Sequence, residues 1–468
     1  MVIIYLAAFV IRPWEVLFLE LMEGLHFERW LAITVLVVVV LAGRLRLPTD
    51  RTAFAVYIFM ASAAIAMVFG VNPAKSWYTF YILFTVFVFF VMLVSAVRSE
   101  YDLVFTIACY VVIMGTYLAK SLWEYFIYGG YESEQGYKRL MGIERSFGDP
   151  NSLGPGIVFS LPFLLFLFYT RHSFTANWTP LWRKWFTRGL LAYAVLAVVS
   201  VLMTRSRSGV LCLVVFLILQ ANQSPGLGKK VARLALVAVL CVTVFTFIPA
   251  DMQRRIRTIW DPSAGTQIEH ESAMGRLEGF QAGITIFKQH PVTGIGPGNF
   301  GVYRFKNVDG SYMHAHNLLG QLLAESGLVG ALGFGILLLS MYSTCRRLIL
   351  ITSVRDDELS NVLNKVVLAF RDVVTLMLFS GIFQHNLYRF NWLWIAAFLI
   401  LAKESLTRHL KQSSAFGDAR IAGTPAPQWN QPLLVPRPLL PQGPASPRAL
   451  PSVVSNRISG RQSVGLEE

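Results

Sequence analysis

The chain has 468 residues, 54% of them hydrophobic and only 15% charged, and its mean hydropathy is +0.53. Soluble domains carry about 25% charged residues, so an ordinary aqueous enzyme is excluded. The net charge of +14 does not mark a nucleic-acid binder, because Lys and Arg sit in short clusters between apolar runs about 20 residues long.

Those runs predict an all-α polytopic membrane protein with about twelve transmembrane helices, near 2–13, 29–43, 53–70, 77–97, 101–119, 151–170, 189–203, 208–221, 231–248, 317–343, 366–384 and 391–403. Arg12, Pro13 and Glu15 interrupt the first. No positively charged stretch precedes it and no A-x-A-like site follows, which argues against a cleaved signal peptide. Basic residues gather in alternate connections: Arg44, Arg46 and Arg51; Arg98; Arg171 to Arg188; Lys229 to Arg233; Arg346 to Lys365. The positive-inside rule makes these cytoplasmic. The opposite face then receives 120–150, the tight turn at 204–208 and a long loop over about 249–316. Cys109, Cys212, Cys241 and Cys345 lie in or beside the runs and read as packing residues. From about Gln412 the composition changes, with nine prolines between Pro425 and Pro451. The expectation is a transmembrane domain over 1–411 and a disordered, Pro-rich cytoplasmic tail over 412–468.

Polar residues without a structural reason mark the candidate site. In chain order the first is Asp149-Pro150-Asn151, an N-cap followed by an N1 proline, with Asn151 a secondary ligand contact. Next comes Thr204-Arg205-Ser206-Arg207-Ser208-Gly209, which joins two spans with almost no loop. An arginine at mid-membrane costs about 2.5–3.5 kcal/mol; either Arg205 and Arg207 snorkel to lipid phosphates, or they point inward and hold an anion. In the long loop, Leu277, Phe280, Ile284 and Phe287 repeat at helical spacing up to Pro291, which predicts an amphipathic surface helix. Arg276 falls in its first turn, where a cation opposes the helix dipole; a bound anion would account for it, as would a pairing with Glu278. Gly294-Ile295-Gly296-Pro297-Gly298 is a weak phosphate-loop signature, and a close backbone approach explains it better.

Met313-His314-Ala315-His316-Asn317 leads into the tenth span. His316 beside Asn317 suits a general base with an orienting partner, and no cysteine or carboxylate cluster accompanies the two histidines as metal ligands. Deeper in the span Gln321 and Glu325 are i, i+4 neighbours. An acid in an apolar span is a functional candidate, or else a hydrogen-bonded packing contact. Asp356-Asp357-Glu358 reads as a solvated cytoplasmic cluster. Arg205/Arg207, Arg276 and His314/His316 are thus expected on one face of the membrane, a set suited to a diphosphate leaving group and a proton acceptor.

At these residues the chain resembles the O-antigen ligase and Wzy-type polymerase superfamily of bacterial membrane glycosyltransferases. The resemblance rests on Ser206-Arg207-Ser208-Gly209, on Arg276 with the run Gln289 to Gly296, and on His316-Asn317 followed at family spacing by Gly327-Leu328-Val329-Gly330; Arg145 to Asn151 is similar too. It covers about 140–345. Ala331 stands where many ligases show Ser or Thr. The resemblance implies a glycan donor on undecaprenyl diphosphate at the periplasmic face of the bacterial inner membrane. The acceptor hydroxyl would belong to lipid A–core, a second lipid-linked glycan or a protein. Arg207 and Arg276, with Arg205 in support, would stabilise the departing diphosphate, and His316 would act as base, with inversion and without a metal or other cofactor. Substrate-binding roles would fall to His314, Asn317, Asn151 and Glu325. A polymerase or a protein O-oligosaccharyltransferase of the same superfamily is the alternative, and a lipid or solute transporter a more distant one.

Overall fold

Among the described residues the apolar runs become helices, and at the entrance to most of them a short polar side chain takes up an orphan backbone N–H. The computed structural model describes residues 2–11, 27–133, 137–143, 147–259, 261 and 267–421, all within one compact unit, Met1–Val435. The helices in chain order are α1 (Val2–Ile11), α2 (Phe27–Leu41), α3 (Arg51–Val68), α4 (Pro73–Ala96) and α5 (Glu100–Trp123), the last continued by a π-turn over Glu124–Tyr128. A two-stranded antiparallel hairpin, β1 (Tyr131–Glu132) and β2 (Arg139–Leu140), precedes α6 (Pro150–Phe174), α7 (Pro180–Met203), α8 (Arg207–Asn222) and α9 (Leu227–Phe247). Then come α10 (Ala250–Arg257), α11 (Gln267–Gln289), α12 (Phe300–Asn307), α13 (Leu318–Ser353), α14 (Glu358–Ser380) and α15 (Asn391–Ile421). Asp50, Asn72, Asp149, Thr179, Ser206, Asn317 and Asp357 each accept an N–H from the turn they open. Ser99 and Asp102 form a reciprocal capping box on α5.

All the apolar runs fall on helices. Among the described residues seven helices are long and apolar enough to cross a membrane: α3, α4, α5, α6, α7, α9 and α13. α1, α2 and α8 are shorter apolar helices, and the last two runs lie within α14 and α15. The helical end of the chain differs from expectation: α15 continues to Ile421, past the compositional change at Gln412. The tail proper, 422–468, lies outside the described residues.

α6 is the hub, packed against α5, α7, α8 and α14, while α13 runs along α3 and α11. Its contact with α8 is backbone on backbone, since a Cβ on Gly209 would lie 3.0 Å from the Gly154 Cα. Small residues permit that approach where lipid supplies no hydrophobic drive between helices. α9 buries none of its residues and forms the rim of the bundle.

α13 is two helices in one. At Gly327 the backbone turns to φ 58°, ψ −156°, a region essentially closed to other residues. The freed groups are satisfied by the segment after α11. Ile295 N and Gly296 N donate to the Ala324 and Glu325 carbonyls at 2.9 Å each, and Leu328 N and Val329 N donate to the Pro291 and Val292 carbonyls at 2.9 and 3.1 Å. The Pro291–Gly296 stretch is therefore a plug laid across a broken helix, and its glycines allow the close approach expected of them.

Candidate functional site

Arg207 opens α8. Ser206 caps the helix through its hydroxyl, 3.2 Å from Gly209 N, after Arg205 turns the chain at φ 51°. A non-glycine residue in that region is uncommon and costs about 1–3 kcal/mol. The result buries Arg207 to 9% exposure and hands its Nη1 to the Thr258 hydroxyl at 2.7 Å, which donates in turn to the Arg255 carbonyl at 2.7 Å. α8 is thus tied to α10.

Arg276 approaches from α11, and it does not sit in a first turn: the helix begins at Gln267, so the dipole argument for an anion there does not apply. A different one does. Burial lowers the Arg276 guanidinium to about 10, and repulsion from Arg207 and then Arg255 adds to this, each outweighing the attraction of Asp149. Among the described residues the guanidinium makes no hydrogen bond or ion pair. Arg207, Arg276 and Asn317 line one cleft of about 360 Å³, whose other walls include Leu211, Leu277, Phe280 and Phe383. Cationic groups in a largely apolar hollow suit an amphiphilic anion.

His316 adjoins this cleft electrostatically. Burial, then Arg276, then His314 lower its imidazole to about 4, while Asp149 opposes them. It holds φ 46°, the second strained non-glycine residue among those described. Its ring meets His385 edge to face at 5.4 Å between centroids, and His314 stacks on His385 at 4.7 Å. Burial first, then His314 and His316, lower His385 to about 3. All three imidazoles are neutral near pH 7. Among the described residues no group of three or more His, Cys, Asp and Glu is placed to hold a metal ion.

Several candidates have other employment. Arg205 pairs with Asp251 and lies over the Tyr137 ring at 4.9 Å, so it does not line the cleft. Asn317 spends its side chain on capping Gly320 N at 3.0 Å and on donating to the Ile382 carbonyl at 3.0 Å; it does not orient His316. Asn151 accepts from Arg139 Nη2 at 2.9 Å, and Arg139 also reaches the Thr204 carbonyl and Glu132, pinning the hairpin and the 204–206 turn to the head of α6. Glu325, 2% exposed, accepts from Phe300 N at 3.4 Å and Gln321 Nε2 at 3.3 Å. It serves the helix break and is not among the residues lining the cleft. Asp357 is the α14 cap, bonded to Ser360 and Arg355, rather than a free acidic cluster.

Sequence reasoning missed Arg255 and His385. Arg255 was one of several basic residues in a long loop, and nothing local distinguishes it. A signal for His385 existed: His385-Asn386 repeats the His316-Asn317 dipeptide.

Residues 192–335 match the O-antigen ligase family model, Wzy_C. The matched stretch runs from within α7 to within α13 and contains Arg205, Arg207, Arg276, His314, His316 and the Gly327 break; Asn151 and His385 lie outside it. No curated protein matches the chain.

Proposed function

From a chain whose residues 192–335 match the O-antigen ligase family model, we propose an integral membrane glycosyltransferase acting at the Arg207–Arg276 cleft. It transfers a glycan from undecaprenyl diphosphate to an acceptor hydroxyl at the periplasmic face of the bacterial inner membrane. The observation that carries this reading is that Arg207 and Arg276, far apart in sequence, line one amphipathic cleft together with Asn317, and that His316, the residue before Asn317, lies within electrostatic reach of Arg276. Guanidinium forks match diphosphate geometry, and the apolar walls suit the isoprenoid beneath it.

In the transfer step the acceptor oxygen forms a bond to the anomeric carbon as that carbon's bond to the diphosphate oxygen breaks. The bonding pair leaves with the diphosphate, where Arg207 and Arg276 stabilise the growing charge. The acceptor's proton passes to His316, and attack opposite the leaving group inverts the configuration. The neutral imidazole is the form able to accept that proton. Its free-site basicity is low because the ring is buried and because Arg276 and then His314 repel its charged form, and a diphosphate seated on the arginines cancels the Arg276 part of that repulsion. Donor binding therefore strengthens the base.

Polymerase and protein O-oligosaccharyltransferase activities use the same chemistry and differ in the acceptor. The break in α13 is a feature shared with transporters, but here its backbone groups are filled by Pro291–Gly296 rather than left to a substrate. The test is single replacement of Arg207, Arg276 and His316 by Ala, with surface polysaccharide followed alongside protein abundance. Normal abundance with lost glycan supports the reading, and normal glycan in all three variants overturns it.

A further inference from the structure

His385 stands in the connection 381–390 between α14 and α15, outside the segment that matches the family. Its position is fixed on both sides. The Gly381 carbonyl accepts from Leu318 N at 2.6 Å and the Ile382 carbonyl from Asn317 Nδ2 at 3.0 Å. Leu387 N donates to Gln321 Oε1 at 3.3 Å, and Asn386 Nδ2 donates to the Met377 carbonyl at 2.8 Å and the Ser380 hydroxyl at 3.1 Å. The connection is thereby fastened to the first turns of α13, and its imidazole meets the two histidines that precede that helix. Among the described residues the His385 Nδ1 is buried without a hydrogen-bond partner, a costly state that packing alone does not require.

We propose that His385 is the positioning residue of the proton acceptor: it fixes the His316 ring edge to face and stabilises that ring as it takes up the acceptor's proton. The inference rests on the reading of His316 as base. In the step the acceptor O–H bond breaks and the proton goes to His316; His385 neither gains nor loses one. The groups facing His316 are Arg276 from α11, Arg304 from α12, His314 beside it and Asp149 at the head of α6. Lys75 of α4 faces His314, and Arg389 faces His385. Asp149 alone of these groups favours a charged imidazole, and a neighbouring ring that stays neutral adds support without adding to the repulsion. Burial keeps His385 neutral throughout the range in which His316 titrates, and a neutral imidazole keeps one unprotonated ring nitrogen whose lone pair attracts a charged neighbour, a group that a benzene ring lacks.

Two variants of the full chain separate the ring's shape from its nitrogens. His385→Phe keeps a flat ring and removes both nitrogens, and His385→Gln restores a donor and an acceptor. Titration of individual histidines, read by C2–H hydrogen–deuterium exchange and mass spectrometry, needs no substrate. The expected result is that His316 titrates at lower pH in His385→Phe. Its kcat falls about tenfold, part of the 10²–10⁴-fold a placed base supplies, with donor KM unchanged and partial recovery in His385→Gln. A folded His385→Phe variant with a wild-type His316 titration overturns the proposal. A shifted titration in a protein whose wild type transfers no glycan to any acceptor overturns the glycosyl-transfer reading, and with it the kinetic half of this one.

Discussion

Replacement of Gly327 by Ala tests the account of this glycine as the point of a helix break. An alanine at φ 58°, ψ −156° carries backbone strain of about 1–3 kcal/mol. Its Cβ would also fall 2.4 Å from the Val292 carbonyl oxygen, 2.6 Å from the Val292 carbonyl carbon and 2.7 Å from Gly294 N. These are backbone atoms and cannot rotate away, so the plug must lift. Its four hydrogen bonds to α13 contribute about 0.5–1.5 kcal/mol each, and loosening half of them adds about 1–3 kcal/mol. The expected destabilisation is about 2–6 kcal/mol. Because α11, which carries Arg276, packs on α13 beside this break, displacement of the plug should disturb the cleft as well. The assay is thermal unfolding in detergent by tryptophan fluorescence, with and without inorganic pyrophosphate. Gly327→Ala should melt several degrees below wild type and lose the stabilisation by pyrophosphate. Gly335→Ala, on the same helix with nothing within 4 Å of the added Cβ, should match wild type or exceed it slightly. Equal melting of all three proteins would refute the plugged-break account.

Four further outcomes follow from the site. Arg207→Gln and Arg276→Gln should each lower glycan transfer about 10²–10³-fold, the usual effect of removing one charge-stabilising group. Arg205→Gln, whose guanidinium is held by Asp251, should cost less than either in the same product assay. The base must be neutral, so activity persists above the His316 value and is lost below it. The acid limb of kcat/KM for the donor should therefore lie near the free-site value of about 4, and that of kcat, measured with donor bound, should move up towards the ordinary imidazole value of about 6.5; superimposed limbs would contradict activation by donor binding. His316 and His385 have folded values of about 4 and about 3, below that of a free imidazole. Their neutral forms thus favour the fold above about pH 6.5, and this contribution is lost as pH falls towards 4 and 3. Melting temperature should drop across that window, less steeply in His385→Phe, and a pH-independent melt would contradict the burial of these rings. Turnover should continue in excess chelator, and its complete loss there would count against a step run by arginines and histidine alone.

The candidate site was legible in the sequence to the extent that its members carry chemistry an apolar span does not tolerate cheaply. Arg207 stood out on that ground; Arg276 stood out as a cation in an expected first turn, which the helix start at Gln267 removes, and His316 as a histidine beside Asn317 at the mouth of a span. Glu325 stood out for the same reason as Arg207, yet its carboxylate is taken up by Phe300 N and Gln321, since a buried acid satisfied by protein and one that awaits a ligand look alike in a sequence. Arg205 and Arg207 are two residues apart and equally conspicuous, but the positive φ of Arg205 sends one side chain to Asp251 and leaves the other at the cleft.

Hydropathy and caps by themselves determined the helices, because burying backbone in lipid leaves a chain little choice but to satisfy its hydrogen bonds locally. Which polar groups meet was decided by tertiary structure. The approach of α6 to α8 at Gly154 and Gly209, the plug in the α13 break and the loop that presents His385 are pairings between segments distant in sequence. No local propensity encodes such pairings, since each depends on the shape its partner offers.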